Sequence, residues 1–331
     1  MAKKYDTYGI GNALVDNEFN ISNEQLSNLG IEKGIMTLVD EEAIGKINSM
    51  KDITPKHKSC GGSAGNTMIA LAQLGEKSFY SCKVGNDRNG EFFVSELLKT
   101  GLDTNLSKGL PQGKTGQCMV FVTPDAERTM NTHLGITETF SEDEIDFDSL
   151  KDSSILYVEG YLVTSKTGRA AAIKAIRFAR ENGVKTALTF SDPSMPTYFK
   201  DGLIEMFDGE KLDILFCNKD EILAFTGEDD ISKALSSATE FAHQVVMTNG
   251  AEGALFYANG ETISANAPKV QPVDTIGAGD LFAGAFLYSF NQGYDVKKCL
   301  SFSCACASKV VTQYGARLNN EDILQLKSEY L

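Results

Sequence analysis

The chain of 331 residues is long enough to bury a full core, as two domains or as one large domain with an appendage, and its 42% hydrophobic and 23% charged residues exclude a mainly disordered state. A net charge of −14, from 31 basic and 45 acidic side chains, repels nucleic-acid phosphates and anionic lipid, so we expect neither nucleic acid nor a membrane as a partner. The sequence has no apolar signal core and no uncharged run of 18 residues, and we expect a cytoplasmic protein.

The seven cysteines and three histidines do not follow a metal-binding or disulfide pattern. The cysteines are odd in number, no two of them form a Cys-x-x-Cys pair, and the histidines lie far apart in the sequence. We therefore expect buried, reduced thiols.

The first motif follows a strand-like segment near the N-terminus. A Gly-x-Gly pair at 9–11 is similar to the start of a dinucleotide-binding fingerprint, but Leu14 occupies the third glycine position and no spaced acidic residue follows. Asn12 and Asp16 come just past the strand end, where a carboxylate can grip vicinal hydroxyl groups of a ligand. The alternative is that Asn12 and Asp16 are solvated turn residues without a function.

A glycine-rich segment at 60–67 precedes a short helical run. It lacks the Lys-Ser/Thr pair of a P-loop, which argues against a nucleotide phosphate cradle. The backbone at Gly61 and Gly62 and the amide of Asn66 are suited to contact a polyhydroxylated substrate. An ordinary glycine turn capped by Ser63 is the alternative.

Two pairs of strand-like segments lack the long helices that separate the other strands. They span 13–20 with 35–39, and 116–123 with 128–134. Because no flexible linker is visible, we expect a single domain that spans 1–331. A small β appendage, formed by about 13–39 and 112–136, is expected to be inserted into this domain. Arg128 lies in this appendage and could reach a transferring phosphoryl group, or could form a surface salt bridge.

From residue 78 onward, short apolar runs alternate with segments of helical period. The apolar runs predict strands at 78–84, 155–158, 184–190, 212–217 and 243–248, and the helical period predicts helices at 90–99 and 167–181. Two further strands, at 254–257 and 261–264, flank an Asn-Gly turn as in a hairpin. Continuous apolar strands are typical of a parallel sheet, so we expect the α/β class, with helices on both faces of one mostly parallel sheet.

Polar residues follow two of these strands, at the edge where α/β sheets bind ligands. Asn218 and Glu221 follow the strand at 212–217 and could hold Mg²⁺ through water, or could form a simple helix cap. Thr248, Gly250 and Gly253 follow the next strand, and could offer N–H groups to a phosphate or simply form a turn.

The most specific motif is Asp-Thr-Ile-Gly-Ala-Gly-Asp at 274–280, which opens an apolar helix that runs to Asn291. Gly277 and Gly279 allow a ligand to approach the backbone closely, and the free N–H groups of a first helical turn attract a phosphoryl group. Asp280 suits a helix start through the macrodipole, but beside a phosphoryl group it can also take a proton from an attacking hydroxyl.

In order and approximate spacing, these motifs resemble those of the ribokinase-like (PfkB-type) carbohydrate and nucleoside kinases. The resemblance implies a Rossmann-like three-layer sandwich with a small β-sheet lid. It also implies that Asp280 is the general base and that the backbone N–H groups of Gly277, Ala278 and Gly279 form an anion hole for the γ-phosphoryl group.

The other expected roles follow from the same resemblance. ATP and Mg²⁺ are implied, with Asn218 and Glu221 organising the metal ion, and K⁺ is a further candidate at Asp274 and Thr275. The implied ATP contacts are Asn218, Thr248, Gly250, Gly253, Gly277, Gly279 and Ala307. The implied substrate contacts are Asn12, Leu14, Asp16, Gly61, Gly62, Ser63, Asn66, Leu134 and Tyr161. A homodimer through the lid is also an expectation.

Within the family, the chain is most similar to the adenosine-kinase branch. The similarity lies in residues 11–16 and in the lid stretch 128–134, where Arg128 matches the lid arginine expected to clamp phosphate. Leu14, Leu134 and Tyr161 would provide apolar contacts for a base. We therefore expect ATP-dependent phosphorylation of the primary hydroxyl of a nucleoside, adenosine first. A kinase for ribose, fructose or a related sugar is one alternative, and a non-catalytic nucleotide- or sugar-binding regulator is another.

Overall fold

The computed structural model describes residues 3–34, 36–49, 54–125 and 127–331, apart from the side chain of Arg128. The described strands are β1 (Tyr5–Ile10), β2 (Leu14–Asn20), β3 (Met36–Leu38), β4 (His57–Gly61), β5 (Ser78–Ser81), β6 (Asp103–Thr104), β7 (Gly116–Val122), β8 (Arg128–His133), β9 (Ser153–Glu159), β10 (Lys185–Thr189), β11 (Leu212–Asn218), β12 (Ala242–Thr248), β13 (Ala254–Ala258) and β14 (Glu261–Ala265). The described α-helices are α1 (Asn23–Asn28), α2 (Glu41–Asn48), α3 (Ser63–Gln73), α4 (Arg88–Lys99), α5 (Phe147–Lys151), α6 (Lys166–Glu181), α7 (Ser194–Tyr198), α8 (Lys200–Met206), α9 (Lys219–Thr226), α10 (Ile231–Ala238), α11 (Ala278–Asn291), α12 (Val296–Val310) and α13 (Asn320–Tyr330).

A nine-stranded sheet forms the centre of the molecule, in the order β14-β13-β12-β11-β10-β9-β1-β5-β6. The strands from β12 to β6 in this order are parallel, whereas β13 and β14 are added antiparallel at one edge. The predicted apolar strands correspond to β9, β10, β11 and β12, and the predicted hairpin is β13 and β14. The strand predicted at 78–84 ends earlier, at Ser81.

Helices cover both faces of this sheet, which explains why its central strands are continuously apolar. On one face, Leu71 of α3, Phe286 of α11 and Phe302 of α12 belong to one buried core. On the other face, Ile176 of α6 and Phe225 of α9 belong to a second. The predicted three-layer α/β class is confirmed.

A second sheet of five strands, in the order β3-β8-β7-β2-β4, lies beside the large one. One of its faces is covered by α1 and α2, through a buried cluster that includes Phe19, Leu26 and Ile44. The sheet uses β2, β3, β7 and β8 from the stretches proposed for the appendage, and it adds β4, which lies outside both. Ile35, in the strand predicted at 35–39, lies outside the described residues.

Short connections fix the position of the small sheet at the carboxyl ends of the parallel strands. Three residues, 11–13, join β1 to β2, and a single glycine, Gly62, separates β4 from α3. The chain therefore passes between the two sheets twice within its first quarter, which creates a cleft at this edge.

A buried carboxyl group at the opposite end of β1 makes stability depend on pH. Glu76 accepts hydrogen bonds from Thr7, Ser78 and Asn291, and burial raises its pKa from 4.5 to about 7. The folded state therefore disfavours the ionised form, so this contribution to stability is fully present below pH 4.5 and is lost as pH rises through 7. The free energy of unfolding, measured in urea, should therefore decline between pH 4.5 and 8, and Glu76→Gln should remove about 3 kcal/mol of this decline. The control Glu24→Gln, which changes an exposed glutamate, should remove none of it. An unchanged slope in Glu76→Gln would refute this assignment.

Candidate active site

A cleft of about 990 Å³ lies between the carboxyl ends of the parallel strands and the small sheet. Asn12 follows β1, Glu159 ends β9, Asn218 ends β11 and Thr248 ends β12, and all four line the cleft. Parallel strands end at a common edge, so side chains that are distant in the sequence meet there.

Asp280 lies in the first turn of α11 and faces this cleft. Its Oδ1 accepts a hydrogen bond from Ser63 Oγ at 2.7 Å, and its Oδ2 accepts one from Asn66 Nδ2 at 2.9 Å. Burial raises the pKa of Asp280 to about 6, while these two hydrogen bonds and the charge of Arg317 limit the rise. Such a carboxyl group is mostly ionised at neutral pH and basic enough to accept a proton.

Buried Glu159 ties the glycine-rich turn to the end of β1. One carboxylate oxygen accepts the backbone N–H of Asn12 at 3.2 Å and its Nδ2 at 3.1 Å, and the other accepts the N–H of Ala64 at 2.8 Å. Burial raises the pKa of Glu159 to about 7. Because these bonds hold both segments, Glu159 positions the two motifs that are expected to contact the substrate relative to each other.

Close backbone approach explains the two glycines between β4 and α3. Gly62 has φ +96°, and a Cβ at this position would lie 2.2 Å from the carbonyl oxygen of Asn12. A Cβ on Gly61 would lie 2.2 Å from Oδ1 of Asp16. Gly62 and Asp16 line the cleft with Asn12, whereas Gly61 lies behind the lining and makes room for Asp16.

The loop before α11 brings backbone N–H groups to the cleft. Gly277 adopts a left-handed conformation with φ +74°, and a Cβ there would collide with Ala316. Gly277 and Gly279 line the cleft, and a Cβ on Gly279 would meet no protein atom within 4 Å. Ala278 instead packs against the core, and its N–H donates to the carbonyl of Thr275 at 3.3 Å. Of the three amides expected to form an anion hole, the two glycine amides are therefore the ones beside the cleft.

Asp274 joins this loop to the segment that follows α12. Its carboxylate is buried and accepts the N–H of Ile276 at 3.0 Å and the N–H of Gly315 at 2.8 Å. Thr275 is exposed and lines the cleft. The monovalent-cation role of Asp274 and Thr275 stays a prediction.

Asn218 and Glu221 form the capping box of α9. Asn218 Oδ1 accepts the N–H of Glu221 at 2.8 Å, and the Glu221 carboxylate accepts the N–H and the Nδ2 of Asn218 at 2.9 and 2.8 Å. Burial raises the pKa of Glu221 to about 7. Both residues also line the cleft, so the cap and a water-mediated Mg²⁺ contact are compatible. Among the described residues, no three His, Cys, Asp or Glu side chains converge on a metal-binding position.

The other residues expected to contact ATP are divided between the cleft and its surroundings. Thr248 lines the cleft at the end of β12. Gly250 begins a short 3₁₀ turn after it and Gly253 directly follows that turn, with φ +54° and +104°. Ala307 is part of α12 and packs against the core. The structure therefore brings Thr248 to the cleft and leaves the two glycines and Ala307 outside its lining.

The small sheet provides an apolar wall of the cleft. Cys118 and Val120 of β7 pack against Ile276 of the loop before α11, so the two sheets are in contact at this point. The apolar lining residues from the small sheet and its flanks are Leu14, Met36, Leu38, Cys118, Val120, Met130 and Leu134, with Tyr161 on the side of the large sheet. The backbone of Arg128 begins β8, but its side chain lies outside the described residues.

Glu159, Asp192 and Arg317 are among the charged residues of the cleft that sequence reasoning missed. Glu159 directly follows the apolar run at 155–158, and Asp192 closely follows the run at 184–190, so an acidic residue at the end of a buried strand was the available signal. Arg317 lies between α12 and α13, in a segment without a motif, and nothing in the sequence indicates its position.

Comparison with known proteins places these observations in a family. The model of the pfkB family carbohydrate kinases matches residues 40–323. The structure of an adenosine kinase from Sinorhizobium meliloti is 32% identical, with a TM-score of 0.90 over 98% of this chain and 99% of that one. A probable sugar kinase from Rhizobium etli is 30% identical, with a TM-score of 0.90 over 99% and 100% of the two chains. The 5-dehydro-2-deoxygluconokinase of Bacillus subtilis is 27% identical over 287 residues, which are 84% of this chain and 88% of that protein.

Within the described residues, none of the helices is both long and apolar enough to cross a membrane. The family match covers most of the chain, and the cleft contains the carboxylate and helix N-terminus that the sequence motifs predict. The chain belongs to the pfkB family of carbohydrate kinases and is an ATP-dependent phosphotransferase.

Proposed function

We propose that this protein transfers the γ-phosphoryl group of ATP to the primary hydroxyl of a nucleoside, with Asp280 as the general base. The observation that carries the proposal is the position of the Asp280 carboxylate. It faces the cleft at the amino end of α11, in the same cavity as the polar groups of Asn12 and Asp16. A hydroxyl group held by those residues would have a base on one side and an anion site close by.

The apolar wall favours a nucleoside over a free sugar as the acceptor. Met36, Val120 and Met130 line the cleft from the small sheet, next to Leu14 and Leu134. A free sugar carries hydroxyl groups around its ring and leaves such a surface without a partner, whereas a nucleobase presents a flat apolar face to it. A volume of about 990 Å³ is also at the upper end of the range for ligand pockets.

The residues around the amino end of α11 fit a nucleotide phosphate. The first-turn amides of a helix have no partner within the helix, and Gly279 leaves open space where a side chain would block a phosphoryl group. Asn218, Glu221 and Asp192 add oxygen atoms to the cleft, which is the donor type that Mg²⁺ prefers. Because Asn218 and Glu221 already bond to each other, we infer that they hold the ion through water.

In the proposed reaction, one proton is transferred, one P–O bond forms and one P–O bond breaks. Bound Mg-ATP supplies the phosphoryl group and neutralises part of its charge. Asp280 takes the proton as the acceptor O–H bond breaks; the acceptor oxygen bonds to the γ-phosphorus, and the bond to the β-γ bridging oxygen breaks, with its electron pair leaving on ADP. Ser63 and Asn66 orient the carboxylate, each through one oxygen, and each oxygen keeps a lone pair for the incoming proton.

A panel of acceptors tests the substrate class. ADP release with Mg-ATP should show kcat/KM for adenosine about 100-fold above that for ribose or fructose, because the apolar wall binds the base. The matched control is 5′-deoxyadenosine, which should compete with adenosine but release no ADP, since it lacks the primary hydroxyl. Equal or better turnover of a free sugar would reject the nucleoside proposal.

A sugar kinase remains the alternative, because curated relatives are named 5-dehydro-2-deoxygluconokinase. Including that sugar acid in the panel separates the two cases. A non-catalytic regulator would bind members of the panel without releasing ADP. Activation by K⁺, a homodimer through the small sheet and a cytoplasmic location stay predictions.

A further inference from the structure

A half-buried arginine connects the base to the small sheet. Arg317 follows α12 and lines the cleft. Its Nε donates to Asn66 Oδ1 at 3.1 Å, and its Nη2 donates to the carbonyl oxygen of Cys60 in β4. One guanidinium group therefore holds the small sheet, the first turn of α3 and the segment after α12 together.

The contact to Asn66 fixes the direction of an amide that touches Asp280. A carboxamide has one accepting end and one donating end, and arginine can only donate. With Arg317 on its Oδ1, Asn66 must present its Nδ2 to Asp280 Oδ2, where the bond is 2.9 Å. Without Arg317, the Oδ1 of Asn66 would lose this donor, and the bond to Asp280 alone would hold the amide in this orientation.

Arg317 also carries positive charge in a cluster of acids. The titratable groups within electrostatic range of Arg317, besides Asp280, are Asp16 of β2, Cys60 of β4 and Glu96 of α4. Those within electrostatic range of Asp280 are Tyr80 of β5, Tyr157 and Glu159 of β9, Tyr161 after β9, and Glu221 of α9. Burial raises the pKa of Asp280, and the positive charge of Arg317 is one of the groups that limit the rise. Burial lowers the pKa of Arg317, but a guanidinium group stays protonated in proteins, so its charge persists throughout the working pH range.

We propose that Arg317 is the positioning residue of the catalytic base: it orients the Asn66 amide against Asp280 and places a fixed positive charge beside that carboxylate. This inference rests on the proposed role of Asp280 in phosphoryl transfer. It does not depend on which acceptor the enzyme prefers.

The test separates charge from geometry with two variants. Arg317→Met removes both the charge and the donors, whereas Arg317→Lys keeps the charge but cannot reach Asn66 and Cys60 together. The control is Arg177→Met, which removes an exposed arginine paired with Asp208 on the surface. We would measure kcat/KM from pH 5 to 9 with the acceptor that the panel identifies, and monitor folding by thermal unfolding.

In Arg317→Met, we expect the acid limb of kcat/KM to move to higher pH by about one unit and kcat at pH 8 to fall about 10-fold or more. In Arg317→Lys, we expect kcat to fall while the acid limb stays in place. Arg177→Met should match the wild type. Acceptor binding to the nucleotide-free protein, measured by calorimetry, should change less than kcat in both Arg317 variants.

A double-mutant cycle provides the second measurement if Arg317→Met does not fold. Since Arg317 acts through Asn66, Arg317→Lys should lower kcat far less in an Asn66→Ala background than in the wild type. Additive effects in this cycle, or an unmoved acid limb in a folded Arg317→Met, would overturn the inference. Failure of the base assignment itself appears separately, as full turnover in Asp280→Asn.

Discussion

Replacing Asp280 with Asn is expected to lower kcat by about 10²–10⁴-fold, the usual effect of losing a general base. The amide has nearly the same shape as the carboxylate but cannot take the proton of the acceptor hydroxyl. The site can accommodate this change, because the new Oδ1 can accept from Asn66 Nδ2 and the new Nδ2 can donate to Ser63 Oγ. Turnover should be measured with both substrates saturating, so that the loss reports on the chemical step.

The matched control is Asp148→Asn, which changes an exposed carboxylate in the first turn of α5. It should leave kcat unchanged, which separates the loss of the base from the general loss of a helix-start carboxylate. Wild-type turnover in a folded Asp280→Asn protein would remove the proposed mechanism.

Replacing Gly279 with Ala is expected to lower kcat/KM for ATP by about 10²-fold, comparable to the loss of one oxyanion-hole donor. A Cβ at this position meets no protein atom within 4 Å and points into open space. The fold therefore has no reason to resist the change, and an added methyl group in a helix raises the free energy of unfolding by about 0.5–1 kcal/mol. Only a ligand that approaches the backbone here would be displaced.

Gly45→Ala is the matched control for this substitution. Gly45 lies within α2, also with no atom within 4 Å of a Cβ, and it does not line the cleft. Both variants should be slightly more stable than the wild type in urea unfolding, but only Gly279→Ala should lose activity. Full activity in Gly279→Ala would mean that the phosphoryl group does not approach this backbone.

The large sheet could be predicted from the sequence because its strands are buried on both faces. Such strands appear as continuous apolar runs between helical segments, and β9 to β12 lie where these runs predict them. The small sheet was harder to delimit. The segment His57–Gly61 contains no apolar alternation, and its assignment to β4 depends on pairing with β2, which starts 43 positions earlier in the chain.

The same contrast applies to the site. The position of Asp280 at a helix start follows from local letters, because glycines and an acid before an apolar run define that turn. The role of Arg317 cannot be predicted from local sequence, because it depends on a hydrogen bond to Asn66, which lies 251 positions away in the chain. The sequence predicts Arg128 as the cation of the site, whereas among the described side chains Arg317 lies beside Asn66 and Asp280.

In the proposed mechanism, Asp280 and the glycine amides before it act on one acceptor hydroxyl and one phosphoryl group. A crystal structure with adenosine and a non-hydrolysable ATP analogue would show both contacts. We expect the acceptor 5′-oxygen at about 2.6–3.2 Å from an Asp280 carboxylate oxygen, with the terminal phosphate on the N–H groups of Gly277 and Gly279. An acceptor bound with its hydroxyl groups away from Asp280, or a terminal phosphate remote from the start of α11, would contradict this mechanism.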